Sequence, residues 1–303
     1  MTIMSMNVFI EALRANNLII LPTETVYGLG ANALSDEAVL KIYKAKNRPT
    51  KNPLIIHVAS LEEAMKYGVF NEDSLKLAKH FWLPAKTANS LTLVVPIKSG
   101  TKLSKYVTAG LDTVAIRVPN HPVALELLKQ CNFPVAAPSA NISTQLSPTQ
   151  KAHVMLKDIP ILEGGFAQVG IESTIVENTT ILRPGIITKS MLETVLQKPV
   201  VISDGKVIKA PGMTKRHYAP QTPVVIDSIL YDPATEARLG FGKDNQCTLN
   251  LSITGDIKEA VRNLFAYLHE LDQKGYTRIH IAPLPKDQEL SITLYDKLHR
   301  MIG

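Results

Sequence analysis

Cysteine is scarce in this chain of 303 residues: Cys131 and Cys247 lie far apart and form no C-x-x-C pair. That argues against a disulfide framework or a cysteine-built zinc site and fits a reducing, cytoplasmic setting. Aromatic residues are also few, 6% with a single Trp, so the core is expected to be aliphatic. No stretch approaches the ~18 apolar residues that a membrane-spanning helix needs. Residues 1–10 lack a charged start followed by a long apolar run, so no targeting segment is read there. The sequence contains no G-x-x-x-x-G-K-[ST], which argues against a P-loop enzyme, and no G-x-S-x-G nucleophile elbow. The histidines show no H-E-x-x-H or similar metal spacing. Gly28 to Ala33 fits G-x-G-x-x-A formally, but no Asp or Glu stands between Glu37 and Glu62 to bind a ribose hydroxyl. Those glycines read instead as a tight turn or a close backbone approach.

What is present is ordinary for a globular protein: 45% hydrophobic and 20% charged residues, with a formal charge of +6. The length allows one large or two modest domains. A basic balance favours polyanionic partners without saying which. Apolar runs and capped amphipathic stretches alternate to about residue 200, which implies an α/β sheet fold. Helices are expected over 7–17, after Ser35, after Ser60, over 121–130 and over 189–197. Strands are expected over 18–21, 53–58, 91–97, 114–118, 134–137, 173–177 and 181–182. Ser147-Pro148-Thr149-Gln150 reads as a second capping box. From Pro199 to Pro223 the prolines and glycines mark a linker. Beyond it, strands at 224–226, 247–251 and 278–282 and two amphipathic helices make a small second α/β unit. The expected division is a catalytic domain over 1–200, a linker over 201–222 and a small domain over 223–303.

The segment from Lys41 to Lys51 holds five cations and no acid. It could be a solvated helix face. Lys46 and Arg48, however, fall where the helix gives way to a loop, so both could turn inward. A guanidinium fork and a mobile ammonium are the groups that phosphate oxygens need. Far downstream, Ser139-Ala140-Asn141 follows an apolar strand. Its short polar side chains could bond a ribose or a phosphate, or simply form a turn. His57, on an apolar strand, could be a satisfied core histidine.

Read together, these segments resemble the threonylcarbamoyl-AMP synthases, in the long form that couples a YrdC-like domain to a small C-terminal domain. The resemblance runs through Pro22 to Ala33, Lys46-Asn47-Arg48-Pro49, Pro53 to His57 and Asp112 to Pro119. It continues through Ala137 to Asn141, Glu172 to Val176, Leu182-Arg183-Pro184-Gly185 and the linker Pro211 to Pro220. It implies a YrdC-like twisted mixed-sheet α/β domain followed by a smaller Rossmann-like α/β domain. It further implies synthesis of threonylcarbamoyl-AMP and pyrophosphate from L-threonine, bicarbonate or CO2, and ATP, with Mg²⁺ held through the ATP phosphates. The product would serve a downstream tRNA threonylcarbamoyl transferase. By the resemblance, Thr25, His57, Arg117, Ala137 and Ser173 hold threonine. Lys46, Arg48, Asn52, Thr113, Ser139, Asn141, Ser147, Arg183 and Tyr218 surround ATP, with Lys46 and Arg48 the catalytic pair and Tyr218 reaching in from a lid-like linker. Two departures stand out: a longer loop after Trp82, and a stretch from Leu230 to Gln246 that reads as reduced. The competing reading is an RNA-binding module without synthase activity, contacting tRNA or double-stranded RNA through Lys41 to Lys51 and Lys215-Arg216-His217.

Overall fold

The first amphipathic stretch forms helix α1 (Met6–Arg14), which buries Phe9, Ile10 and Leu13. It leads into β1 (Ile19–Leu21) and β2 (Gly28–Asn32). Helix α2 (Asp36–Lys46) opens on Ser35, whose side chain accepts from the Ala38 N–H, and carries Asp36 and Glu37 at its positive end. Next come β3 (Ile55–His57), the single turn α3 (Leu61–Ala64), α4 (Glu72–Phe81) behind its Asn71 cap, and β4 (Leu91–Pro96). They are followed by α5 (Lys105–Thr108), β5 (Thr113–Arg117), α6 (Pro122–Cys131) and β6 (Val135–Ala136). β7 (Thr174–Glu177), β8 (Thr180–Arg183), α7 (Lys189–Leu196) and β9 (Val201–Ile202) complete the first part. The second contains β10 (Val224–Val225), β11 (Ala237–Gly240), β12 (Leu249–Asn250), α8 (Ile257–Asp272), β13 (Ile279–Ile281) and α9 (Glu289–Ile302). This computed structural model describes residues 5–82, 90–204, 211, 217–227 and 230–302. The loop after Trp82, over 83–89, and most of the linker, including Lys215 and Arg216, lie outside the described residues.

The first nine strands form one mixed sheet in the order β1-β2-β6-β3-β5-β4-β7-β8-β9. β3 runs parallel to β5, and β4 runs antiparallel to β5 and parallel to β7. The other four strands form a parallel sheet, β10-β13-β11-β12, the arrangement expected of a Rossmann-like unit. Its core is aliphatic apart from Phe265 and is closed by the apolar face of α8. That core also takes in Val26, Leu146, Val169 and Ile171 from the first part and Tyr218 from the linker, so the two parts share buried surface.

Two expectations need correction. Gly28 and Gly30 do not form a turn; they lie inside β2, where only the close approach survives. A Cβ on Gly30 would stand 2.9 Å from Leu21 Cδ2 and 3.1 Å from Val135 Cγ1. The capping box at Ser147 starts no α-helix: only the 3-10 turn Lys151–His153 follows, behind Gln150. The Ser147 hydroxyl is engaged by the Glu172 carboxylate instead. The stretch 230–246, which reads as reduced, supplies β11, an inner strand of the second sheet.

Candidate active site

The register of the main sheet places His57 beside Arg117 on neighbouring strands, and Arg117 opposite Thr92. Arg117 is buried against the loop after β1: Nη2 donates to Thr25 Oγ1 at 2.8 Å and lies 2.7 Å from Glu24 Oε1. A buried guanidinium needs such a partner, because an unpaired charge out of water is costly. Burial, and then Arg117, push the His57 pKa down to about 3, so its ring is neutral at pH 7.

At the end of α2, Asn47 takes the left-handed conformation, with φ of 50°. This turns the chain sharply, and both flanking cations enter the protein: Lys46 is 1% exposed and Arg48 is 9% exposed. Lys46 Nζ donates to Ser139 O at 2.5 Å, to Asn141 O, and at 3.5 Å to Asn141 Oδ1. Burial and then the Arg48 charge push the Lys46 ammonium pKa well down, while Glu172 opposes them. Asn141 Nδ2 donates to the Ile142 and Gln145 carbonyls at 2.8 Å, which fixes the loop that holds Lys46. Arg48 Nη2 donates to Pro53 O at 3.1 Å.

Across the site, Arg183 closes a fork on Ser173: Nε and Nη2 reach Ser173 O at 3.1 and 3.0 Å, and Nη2 also reaches Ser173 Oγ at 3.1 Å. Ser173 Oγ in turn bonds Thr92 Oγ1 at 2.7 Å. Tyr218 is fully buried, at φ 64°, with its ring stacked on Phe265 at 5.4 Å and Lys297 Nζ 5.2 Å from its centroid. Burial raises its phenol pKa, and its hydroxyl has no hydrogen-bond partner among the described residues. His217 beside it is held neutral by burial and by the nearby Arg48 and Lys46 charges.

Between these groups lies a cavity of about 40 Å³. Arg48, His57, Arg117, Ala137, Ser139, Arg183 and Tyr218 line it, seven of the fourteen residues expected in the site. Thr25, Lys46, Asn141 and Ser173 stand directly behind them through the bonds above, and Ser147 through its bond to Glu172. Asn52 is further back and shows its backbone carbonyl to Tyr43. Thr113 begins β5 while Arg117 ends it, which separates the two by roughly 13 Å at strand rise and leaves Thr113 off the lining. The cavity adds Glu172 and His217, which lie in stretches that carry the resemblance but are not among the residues expected to bind threonine or ATP. Among the described residues, no group of three His, Cys, Asp or Glu could hold a metal ion, and no helix is long and apolar enough to cross a membrane.

The fold and cavity define a two-part α/β protein with an arginine-lined pocket between its main sheet and the described residues of its linker. The chain belongs to the Sua5/YciO/YrdC family. Residues 11–185 match the Sua5_yciO_yrdC model, described as telomere recombination, and residues 187–301 match the threonylcarbamoyl-AMP synthase C-terminal domain. A threonylcarbamoyl-AMP synthase of Bacillus subtilis is 44% identical over 230 residues, which cover 71% of this chain and 64% of that protein. One from Pyrococcus abyssi is 37% identical over 322 residues, covering 96% of this chain and 92% of that one. The crystal structure of P. abyssi Sua5 complexed with L-threonine superposes with a TM-score of 0.87 at 33% identity, covering 98% of this chain and 94% of that one.

Proposed function

We propose that the chain is an L-threonylcarbamoyladenylate synthase, a nucleotidyltransferase joining L-threonine, CO2 derived from bicarbonate, and ATP, with release of pyrophosphate. The observation that carries this reading is the convergence of Arg48, Arg117 and Arg183 on one cavity, with Lys46 anchored immediately behind it. Similarity to a relative crystallised with L-threonine supplies the amino acid.

In this reading, the Arg117 fork takes the threonine carboxylate, with Thr25 and Glu24 holding its plane. His57, Ala137 and Ser173 complete the amino-acid side. Lys46, Arg48, Ser139, Asn141, Ser147, Arg183 and Tyr218 form the nucleotide side, with Asn52 and Thr113 at its margin. The threonine amine adds to CO2 to give a carbamate. A carbamate oxygen attacks the α-phosphorus, and pyrophosphate leaves. The Lys46/Arg48 pair stabilises charge on the transferring phosphates, which is what such a transfer most needs from a protein. Mg²⁺ would be held through the ATP phosphates and would supply further charge stabilisation there. Among the described residues the cavity has one carboxylate, Glu172, too sparse a ligand set for a cation cage of its own.

A 40 Å³ space is barely larger than one water's share of liquid volume, about 30 Å³. In this reading substrate entry displaces the chain around Pro211, His217 and Tyr218, so that the linker, expected over 201–222, acts as a lid between a 1–200 catalytic domain and a 223–303 domain; its first residues, Val201 and Ile202, stay in the main sheet as β9. The two cysteines are free, in keeping with cytoplasmic work, and the product is consumed by a tRNA threonylcarbamoyl transferase. The RNA-binding alternative is weakened, because Lys46 and Arg48 are buried and Lys41 pairs with Glu37 and the Asn16 carbonyl, which leaves Lys44 and Lys51 as the exposed cations of that segment.

Lys46→Ala and Arg48→Ala are each expected to remove most of the turnover while threonine still binds. Product formation at the wild-type rate by the double variant would sink the assignment.

A further inference from the structure

Glu172 is a buried acid in a cavity otherwise rich in positive charge. It is 6% exposed and lines the cavity with Arg48, Arg117 and Arg183. One carboxylate oxygen, Oε1, accepts from the Ser147 hydroxyl, which fixes the orientation of the group. The other, Oε2, is buried with no hydrogen-bond partner among the described residues. A buried unsatisfied carboxylate oxygen is expensive and calls for an explanation. Its chain neighbour, Ser173, is locked to Arg183 and Thr92, so Glu172 sits where the proposed amino-acid and nucleotide sides meet.

The other acid nearby, Glu24, also has buried oxygens without a hydrogen-bond partner, but it is ion-paired with Arg117 through Oε1 and does not line the cavity. His57 and His217 line it, but both are weak proton acceptors, because burial and neighbouring guanidinium charges hold their pKa values down. Among the described residues that line the cavity, an α-ammonium entering beside three arginines meets a single carboxylate, that of Glu172.

We infer that Glu172 Oε2 binds the α-amino group of the amino-acid substrate and takes its proton as the carbamate forms. The inference rests on the synthase reading above. The step balances as follows. The bound ammonium first gives one proton to solvent, leaving a neutral amine hydrogen-bonded to Oε2. The nitrogen lone pair then bonds to the CO2 carbon, one C–O π pair moves onto oxygen, and the second N–H proton passes to Oε2. The products are a carbamate anion and a neutral Glu172 acid, which returns its proton to solvent when the adenylate leaves. Ser147, whose hydroxyl donates to Glu172 Oε1, is a positioning residue in this scheme.

The test compares two directions of the reaction. Forward synthesis from threonine, bicarbonate and ATP needs the amine proton removed. Pyrophosphorolysis, in which added threonylcarbamoyl-AMP and labelled pyrophosphate give labelled ATP, breaks and forms only bonds at phosphorus. For Glu172→Gln, forward turnover is expected to fall by about 10²- to 10⁴-fold, the usual contribution of a general base. Pyrophosphorolysis and ATP affinity should stay close to wild type, which also shows that the variant folds. Glu172→Asp, which keeps the charge but shortens its reach, should recover part of the forward rate. Wild-type forward synthesis by Glu172→Gln overturns the inference. So does an equal loss in both directions, which would place Glu172 on the phosphate chemistry. A wild-type protein that makes no adenylate at all overturns the synthase reading itself, and only that outcome does.

Discussion

Arg117 shows how much of the site is decided by one side chain and its partner. Its guanidinium reaches Glu24 at 2.7 Å and Thr25 at 2.8 Å, with both acid and base almost wholly buried. Removing one member of a buried ion pair costs about 3–5 kcal/mol, because the other charge is left without compensation. Glu24→Ala is therefore expected to lower the urea midpoint markedly, and a midpoint equal to wild type would contradict the pairing. At this scale the sequence reveals cations better than anions. Lys46 and Arg48 announce themselves by following a capped helix without intervening acid. Glu172 gives no comparable signal, since a lone acid before Ser-Thr-Ile-Val has no spacing partner. Its meaning comes from contacts with Ser147 and the Lys46 charge, far away in the chain.

Among the elements, those with a cap or an apolar period are legible. Ser35 and Ser60 both accept the N–H bonds expected of them, although the helix after Ser60 lasts one turn. β2 is hidden because Gly-Leu-Gly offers no alternation of side chains, and what makes it a strand is the fit of bare backbone against Leu21 and Val135. β11 is hidden for another reason: its Arg238 looks like a surface residue, but it is buried with Nε 2.8 Å from Asp244 Oδ2. The β2 fit predicts that Gly30→Ala will be destabilising. The added methyl would press on Leu21, Val135 and Ile19 at 2.9, 3.1 and 3.3 Å. Overpacking of this kind costs about 1–3 kcal/mol. A thermal midpoint unchanged from wild type would contradict the packing described.

Over the whole molecule, the second unit does more than follow the first. Lys297 Nζ donates to Pro184 O at 3.1 Å, Thr293 Oγ1 to Gly185 O at 2.9 Å, and the His217 N–H to Arg300 O at 2.8 Å. α8 and α9 thus form the wall on which Tyr218 rests. At the same joint His153 stacks on His269 with centroids 4.1 Å apart. Burial, and then His269, push the His153 pKa down to about 3, the same value as His57. An unfolded histidine titrates near 6.5. Between about pH 3 and 6.5 the unfolded chain therefore holds protons that the folded chain refuses. The associated stability is fully present above 6.5 and is lost as pH falls, at up to about 1.4 kcal/mol per pH unit for each histidine. The urea midpoint is expected to drop steadily from pH 6.5 to 4.5, less steeply in His153→Phe; a flat profile in the wild type would contradict the burial of these rings.

The most direct measurement is incorporation of labelled bicarbonate into an adenylate by the purified protein with ATP, with pyrophosphate counted alongside. The account predicts equal amounts of labelled threonylcarbamoyl-AMP and pyrophosphate, both dependent on L-threonine. Binding of ATP and threonine without either product would contradict it.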